Sequence, residues 1–394
     1  MCLGCYDRLM SRFDLSPVER ALALEKLVRD HADESDEQRR LPADVARAFA
    51  VNGLYRIGAP KSYGGEEADP MTQIETIETI SRFDGAAGWN LMIGVETFGL
   101  SAAGCDSCRE LIEDPMVILC GSTAAIGRAD LEGDGYRVSG QWQFVSGCHN
   151  ATVFSATVRL YENDKPVSTN VAALITAPDF EIQDTWHVGG MRGSGSHDVH
   201  VKDVWVPASQ IVPRIGFAES DLPLMRFPLA ARLAYNKVAV SLGIARAALD
   251  AFYALAEGKW PRFSSRKLKE RASAHRAIAE AEVLVNGARA LLMQEVGAMW
   301  QKVERAEDVT DREKALFQIT CSHGVRACTN AVDLVCDAAG TSANFETHPL
   351  ERISRDIRVV RQHLTVAGHH IEDGGRVLLG LTGEDTMLRG LGGG

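Results

Sequence analysis

Apolar residues recur at helical spacing through the first quarter of the chain. The segment Ser16-Pro17-Val18-Glu19 has the order of a helix start, because serine caps helices, proline suits the first helical position and a carboxylate favours the first turn. Apolar periodicity predicts further helices from Pro42 to Gly53, from Pro70 through Ile80 and over Gly88 to Leu100. The last of these has few polar residues, so we expect it to be buried.

The period changes to two in the middle of the chain. Tyr136 to Val145 alternates between apolar and polar residues after the turn Asp134-Gly135, as a half-buried strand does. Further strands are predicted over Ala151–Leu160, Val171–Ile175, Phe180–Trp186 and Asp198–Val206. Short strands at this spacing favour a compact barrel or sandwich from about Val117 to Pro213.

The helical period returns after Leu229 and lasts nearly to the end. Long helices are predicted over Pro228–Glu257, Lys267–Trp300, Asp311–Ala338 and Pro349–Leu379, a pattern typical of an antiparallel four-helix bundle. Strands and helices do not alternate, which disfavours a doubly wound dinucleotide sheet. We therefore predict a mainly α fold with a central β-domain: N-terminal helices over 1–116, the β-domain over 117–215 and the bundle over 216–394.

Composition and charge narrow the class of protein. The 394 residues include 42 Lys and Arg against 53 Asp and Glu, a net charge of −11, which argues against nucleic acid or anionic membrane as a partner. The two most apolar windows, 229–239 and 238–255, are interrupted by charged residues before a membrane-spanning length is reached. Asp7 and Arg8 leave no apolar signal region near Met1, so a cytoplasmic protein is expected.

The nine cysteines are an odd number spread over a long chain. This favours reduced thiols over a disulfide framework. Two Cys-x-x-Cys pairs occur, Cys2/Cys5 and Cys105/Cys108, and either could bind zinc or be redox-active. No histidine flanks them at ligand spacing, so we predict no metal site.

Four segments carry candidate chemistry, and each has a plainer interpretation. The glycine-rich run Met191 to Ser196 could present backbone N–H groups to a ligand, or be a simple hairpin connection. Ser146 to Asn150 could be a site or only a turn between strands, and it lacks the spacing of a nucleophile elbow. The basic stretch Trp260 to Lys267 could hold an anion or be a solvated loop. His363, on the predicted last helix, could be catalytic or structural.

Together these stretches resemble the acyl-CoA dehydrogenase fold superfamily over nearly the whole chain. The matching segments are Tyr63-Gly64-Gly65, the strands around Tyr136 to Ala151, Asp198 to Pro207, Ala338 to Thr341, and Pro349 to Asp356. The resemblance implies N-terminal helices, a central β-domain, a C-terminal four-helix bundle, a bound flavin and a homotetramer.

The residues that differ from the family pattern bear on the reaction. Dehydrogenases of this family place a glutamate base soon after the Arg-Asp motif, where this chain has His363-Leu364-Thr365-Val366. The alternative base position falls near Leu233, which cannot take a proton. The chain instead resembles the two-component flavin-dependent monooxygenases of the same fold, such as phenol and steroid hydroxylases. They receive reduced FMN or FAD from a separate reductase and use O2 to hydroxylate an aromatic or other small molecule.

Residue roles follow from this resemblance alone. Ser146 would hydrogen-bond the flavin N5, Phe144 would pack on the flavin ring, and the loop with Arg192, Ser194 and Ser196 would lie near it. The resemblance further assigns Arg262 and Ser264, of the same subunit or of a neighbouring one, to the flavin phosphate. It assigns Gly340 and Thr341 to backbone contacts with the flavin. His363 would orient or deprotonate a substrate hydroxyl.

Glu96 differs from the residue that monooxygenases of this kind often carry at its position. The phenol hydroxylases often carry a histidine on the corresponding helix, where this chain has Gly94-Val95-Glu96. Glu96 could be a substitute base, could select a polar substrate, or could be a plain structural residue. Two other functions stay open: an atypical acyl-CoA dehydrogenase with FAD, and a flavin-retaining scaffold without catalysis.

Overall fold

The computed structural model describes residues 14–102, 106–213 and 222–384. The N-terminal helices α1 to α7 are Pro17–Leu22, Glu25–Asp30, Ala32–Gln38, Ala43–Val51, Pro70–Phe83, Gly85–Ala102 and Arg109–Glu113. The strands β1 to β7 are Leu119–Glu132, Gly135–Val145, Val153–Glu162, Lys165–Thr176, Glu181–Gln183, His197–Pro207 and Ile211–Pro213. The later helices α8 to α13 are Pro223–Arg226, Leu229–Gly258, Ala272–Glu304, Asp311–Ala339, Pro349–Val360 and His369–Leu378.

The chain divides into two compact units. The first contains the chain up to Gln73, Asn90–Val188 and Arg192–Arg226; the second contains Ile74–Trp89, Gly189–Met191 and the chain from Phe227 onward. We call them the sheet unit and the bundle unit. The division into three domains stays a prediction.

The start of α1 is formed as predicted. Ser16 and Glu19 cap each other: the Glu19 N–H donates to the Ser16 hydroxyl at 3.3 Å, and the Ser16 N–H donates to the Glu19 carboxylate at 2.8 Å. This reciprocal pair satisfies N–H groups that have no partner within the helix. One turn later, buried Arg20 binds the Glu66 carboxylate at 2.6 Å.

The strands form one seven-stranded mixed sheet with the order β5-β6-β2-β1-β3-β4-β7. Only the pair of β1 and β3 is parallel, and every other described pair is antiparallel. The core on this sheet centres on Trp142, whose indole N–H donates to the Thr157 carbonyl at 3.0 Å. The predicted strand over Phe180–Trp186 is wrong in length, because pairing covers only β5.

Strand β1 is absent from the sequence-based prediction. Its alternation is interrupted by Gly127, and its pairing with β3 shifts register between Ser122 and Gly127. The glycine is required by packing, since a Cβ there would lie 2.2 Å from Cζ2 of Trp142. Gly127, which makes room for Trp142, therefore obscures the alternating pattern of β1.

The bundle unit is built on three long helices, α9, α10 and α11, close to their predicted bounds. The predicted fourth helix, Pro349–Leu379, is wrong as a single element, because it breaks after α12 and resumes at α13. His363 has an extended backbone, with φ −64° and ψ 137°, and its side chain accepts the Thr365 N–H. A side chain that bonds its own backbone competes with helix formation, and here it ends the helical run.

Helix α9 is long and apolar enough to cross a membrane by length and composition, although its sequence windows suggested otherwise. However, 61% of its most apolar window is buried within the protein, and Lys237 on the same helix is only 1% exposed. The helix is therefore the core of the bundle.

Five cysteines, Cys120, Cys148, Cys321, Cys328 and Cys336, are free thiols. Cys108 is disulfide-bonded, so the expectation of reduced thiols is wrong at this residue. It belongs to a Cys-x-x-Cys pair, the spacing at which two thiols are close enough in sequence to be redox-active. Cys2, Cys5 and Cys105 lie outside the described residues.

Candidate active site

Two loops of the sheet unit that are distant in sequence are bonded together. One follows β2 and begins with Ser146; the other precedes β6 and spans Arg192 to Ser196. The Ser146 and Ser196 hydroxyls are 2.7 Å apart, and the Ser194 and Ser196 hydroxyls are also 2.7 Å apart. The Gly147 N–H donates to the Ser194 carbonyl at 2.9 Å. The structure therefore brings together three predicted site residues: Ser146, Ser194 and Ser196.

Phe144 is presented to solvent by a strained backbone. Its φ is +59°, a left-handed value that is unfavourable for a bulky residue, and its side chain is 70% exposed. The register of β2 against β6 shifts between Trp142 and Val145, so the strand turns its ring outward at this point. The ring meets Trp186 edge to face at 6.2 Å between centroids. An exposed aromatic held in this way suits a planar ligand.

The Arg192 side chain contacts Asp36 and not the serine hydroxyls of its own loop. Its Nε donates to the Asp36 carbonyl at 2.9 Å and lies 3.6 Å from the Asp36 carboxylate. The guanidinium thus ties the loop to α3.

Trp186 and His197, the histidine that positions it, had no predicted role. His197 is buried, and its Nδ1 accepts N–H groups from Thr185 and Trp186, each at 3.2 Å. Its Nε2 faces the Arg39 carbonyl at 3.3 Å. Burial lowers the pKa of His197, which fits a neutral ring that donates at Nε2 and accepts at Nδ1. The only sequence signal was that His197 directly follows Ser196.

His363 lies in the bundle unit at the break between α12 and α13. Its ring packs edge to face on Trp89, with 5.3 Å between centroids. Burial, and then the charge of Lys237, lower the pKa of His363 to about 3, so the ring is neutral at physiological pH. Trp89 is a further site residue that the sequence analysis did not identify.

Hydrogen bonds fix which nitrogen of His363 carries the proton. The Thr365 N–H donates to Nδ1 at 3.3 Å, and the Thr365 hydroxyl is 3.0 Å from the same nitrogen. A backbone N–H can only donate, so Nδ1 must offer its lone pair and the ring proton must be on Nε2. His363 therefore presents an N–H donor, which can orient a substrate oxygen but is not poised to remove a proton.

The two positions where dehydrogenases of this fold carry their base are adjacent in the bundle unit. The Thr365 hydroxyl oxygen lies 3.4 Å from the Leu233 carbonyl oxygen. Neither side chain can act as a carboxylate base. Glu96, the remaining acidic candidate, is buried on α6 at 8% exposure and belongs to the sheet unit.

A cleft of about 700 Å³ lies at one end of the bundle unit. It is lined by Arg262, Gly340 and Thr341 of the predicted cofactor residues, together with Arg271 and Arg276. Gly340 has φ +60°, and a Cβ there would meet nothing within 4 Å, so its backbone is open to the cleft.

Ser264 does not line this cleft. Its hydroxyl accepts the Arg266 N–H at 3.2 Å and donates to the Arg266 carbonyl at 2.9 Å, which closes its own loop. It faces a smaller cavity that also has Arg262 and Arg271 on its wall. Arg262, Arg271 and Arg276 make this end of the bundle unit suitable for a phosphate group.

A buried carboxyl ties Gly189–Met191 to α12. Asp356 accepts the Met191 N–H, and a Cβ on Gly190 would lie 2.3 Å from the Arg355 carbonyl. Burial, reinforced by the charge of Asp84, raises the pKa of Asp356 to about 7, against the opposing effects of the Met191 N–H, Arg352 and Arg355.

This raised pKa predicts a loss of stability as the pH rises. Between about pH 4 and pH 7 the folded protein holds a proton on Asp356 that the unfolded chain releases, so the free energy of unfolding falls across this range. Asp356→Asn should remove this slope and stabilise the protein at about pH 8 by about 2–4 kcal/mol relative to its effect at about pH 4. Thermal unfolding of both proteins across this range measures the difference, and parallel curves would contradict it.

Comparison with known proteins defines the class. The acyl-CoA dehydrogenase N-terminal domain matches residues 19–110, and the acyl-CoA dehydrogenase C-terminal domain matches residues 236–367. The chain therefore belongs to the acyl-CoA dehydrogenase family, as its sequence motifs predict.

Its relatives within that family are monooxygenases. The chain is 27% identical to indole-3-acetate monooxygenase of Acinetobacter baumannii, over 94% of this chain and 97% of that protein. It is 27% identical to HsaA, the oxygenase subunit of a flavin-dependent monooxygenase of Rhodococcus jostii, over 88% of this chain and 93% of that protein. XiaF from Streptomyces sp., solved in complex with FADH2 and glycerol, has the same fold, with a TM-score of 0.86 at 24% identity over 96% and 98% of the chains. The predicted flavin-dependent oxidoreductase of the monooxygenase branch is confirmed.

Proposed function

We propose that this chain is the oxygenase component of a two-component system that hydroxylates an aromatic small molecule with reduced flavin and O2. The observation that carries the proposal is the neutral His363, which offers an Nε2 donor beside Trp89 where dehydrogenases need a carboxylate. An aromatic wall and a single donor suit an aromatic substrate that bears an oxygen acceptor.

The residues of the sheet unit fit the ring of a flavin. Phe144 supplies an exposed aromatic face, and Ser146 supplies a hydroxyl on the same strand end. When bound, reduced flavin would supply two electrons and activate O2. The protein's part is to hold the proton at the flavin N5 through Ser146, to keep water from the ring through Phe144, and to orient the substrate oxygen through His363.

The cleft of the bundle unit fits the flavin phosphate. Arg262 would bind it as a bidentate donor, with Gly340 and Thr341 offering backbone groups. Ser264 would act by closing the loop that carries Arg262, and Arg192 by holding the loop of Ser194 and Ser196. Glu96 is proposed as a polar determinant of substrate choice.

As the oxygenase component of such a system, the protein depends on a separate flavin reductase. We further propose a cytoplasmic homotetramer. Exposed apolar side chains on the long helices support assembly, including Val283 and Leu291 on α10 and Leu316 on α11. Light scattering of the purified protein checks the tetramer.

The test of the proposed function is a direct assay of oxygen transfer. The protein is loaded with chemically reduced FMN or FAD and mixed with O2 and a panel of phenols and indoles, and product is sought by mass spectrometry with ¹⁸O2. Incorporation of label supports a monooxygenase. Bleaching of bound oxidised flavin by an acyl-CoA under anaerobic conditions, without label incorporation in the first assay, would instead establish a dehydrogenase.

Arg262→Ala should weaken flavin binding. Removing one charge-assisted phosphate contact is worth about 1.5–3 kcal/mol, so the dissociation constant for FMN should rise by about 10–100-fold. Riboflavin, which has no phosphate, should bind both proteins equally. The control is Arg305→Ala, which removes the same charge at the C-terminal end of α10, where Arg305 does not line the cleft. Equal losses for FMN and riboflavin would contradict the phosphate role.

A further inference from the structure

The turn that carries His363 is held by side chains of a neighbouring helix. Gln318 on α11 donates its side-chain N–H to the Thr365 carbonyl, and both residues are buried. Four residues further along α11, the buried Ser322 hydroxyl donates to the Ala367 carbonyl at 3.3 Å. Because residues four apart share one face of a helix, α11 holds the turn at two points.

The direction of each of these bonds is fixed by its acceptor. A carbonyl oxygen can only accept, so the NH2 end of the Gln318 amide must face Thr365, and Ser322 must donate its hydroxyl proton. The same reasoning places a proton on Nε2 of His370, which lies 2.6 Å from the Leu364 carbonyl oxygen. The turn is therefore held through its backbone carbonyls by side-chain donors of α11 and α13.

Thr365 links the contact from α11 to the imidazole. Its carbonyl accepts from Gln318, and its N–H donates to Nδ1 of His363 at 3.3 Å. Only two backbone rotations separate the N–H of a residue from its carbonyl, so a bond at the carbonyl restricts the direction of the N–H. Leu364, between the two residues, is 65% exposed, so a loosened turn would admit water to the ring.

We infer that Gln318 is a positioning residue, which acts through Thr365 to keep the proton of His363 on Nε2 and to direct that N–H at the substrate oxygen. Only the last of these steps rests on the proposed function, because the bonds from Gln318 to His363 all lie within the bundle unit. In this role Gln318 acts on the reaction through the imidazole and not by contact with substrate or cofactor.

The first test needs no cofactor and follows the charge of His363 by the fluorescence of Trp89, on which its ring packs. A protonated imidazole quenches a neighbouring indole more strongly than a neutral one. Burial, and then the charge of Lys237 on α9, lower the pKa of His363 to about 3, so this fluorescence should be constant between about pH 5 and pH 8. The contribution of Trp89 is the difference from the same protein with Trp89→Phe.

Gln318→Met should introduce a quenching transition near about pH 6, because water reaches the ring and the imidazole titrates close to its ordinary value. Methionine is similar to glutamine in size and has no donor. Gln318→Leu, which also lacks the donor, gives the same test if the methionine variant does not fold.

Two further variants assign the transition to His363 and to the lost donor. Adding His363→Gln to Gln318→Met should abolish the transition, whereas a transition that belonged to His370, the other imidazole at the turn, would persist. Ser322→Ala is the matched control, because it removes a buried donor to the same turn from the same face of α11. It should leave the fluorescence constant with pH, because its acceptor is Ala367 and not Thr365.

The second test measures the rate of product formation. At neutral pH, Gln318→Met should lower the rate by about tenfold, which corresponds to the loss of about one hydrogen bond between His363 and the substrate. Its pH profile should gain an acid limb near about pH 6 that the unsubstituted protein lacks. The double variant should match His363→Gln alone, because Gln318 has no effect on the rate without the imidazole to act on.

Constant Trp89 fluorescence in Gln318→Met would overturn the inference, and so would an equal transition in Ser322→Ala. Additive losses of rate in the double variant would do the same. Failure of the proposed function has a different signature: the unsubstituted protein would transfer no labelled oxygen, while the fluorescence transition of Gln318→Met would still appear.

Discussion

His363→Ala should lower the rate of product formation by about 100-fold, within the range that positioned proton-bearing groups contribute to catalysis. The variant loses the Nε2 donor that orients the substrate oxygen beside Trp89. Flavin binding should change by less than about twofold, because His363 has no part in holding the cofactor in the proposed site. Product yield, O2 consumption and flavin affinity are measured on the same preparation.

The pH dependence and a second variant distinguish a donor from a base. Since the pKa of His363 is about 3, the pH profile should lack an acid limb at the ordinary histidine value, near pH 6.5. His363→Gln restores an N–H donor without a titrating group and should recover part of the activity. A profile that falls below about pH 6.5, together with an inactive glutamine variant, would show that His363 is a base.

Ser146→Ala should cause the largest loss of coupling between O2 consumption and product. Without the hydroxyl that holds the proton at N5, most of the O2 consumed should leave as hydrogen peroxide, with a rise of about tenfold or more expected from a lost hydrogen bond in a desolvated site. The peroxide released per flavin oxidised is measured with and without substrate.

The control for Ser146→Ala is Ser155→Ala, a change at a buried serine whose hydroxyl accepts a hydrogen bond from Ser101, which is not a proposed site residue. The thermal stability of the two variants should be similar, since each loses one buried hydroxyl pair. Equal peroxide release from both proteins would remove Ser146 from the site.

The sequence predicts those elements whose signal is local. The capping pair of Ser16 and Glu19, the alternation of β2 and the long apolar periods of α9 to α11 all arise from neighbouring residues, and the structure has each of them. The family resemblance added the candidate residues. Only the folded structure shows that these residues form a hydroxyl cluster, a histidine with a fixed tautomer and a cationic cleft.

What the sequence could not predict depends on long-range contacts. Ser146 and Ser196 are 50 residues apart, and no local sequence pattern predicts the hydrogen bond between their hydroxyls. The turn at His363 was predicted as helix because Val359 and Val360 continue the apolar period, whereas the bond from Thr365 to the imidazole outweighs it. Trp186 was predicted as the last residue of a strand, yet it lies beyond β5, where His197 binds its backbone.

The backbone at Phe144 has a consequence for attempts to improve this protein. A left-handed φ under an exposed ring is unfavourable for phenylalanine, whereas glycine adopts it without a steric penalty. Selection for heat resistance alone would therefore enrich Phe144→Gly, and the survivors would lose the aromatic face proposed for the flavin. A directed-evolution campaign on this scaffold must screen for oxygen transfer at every round, because at this position thermal tolerance and chemistry are opposed.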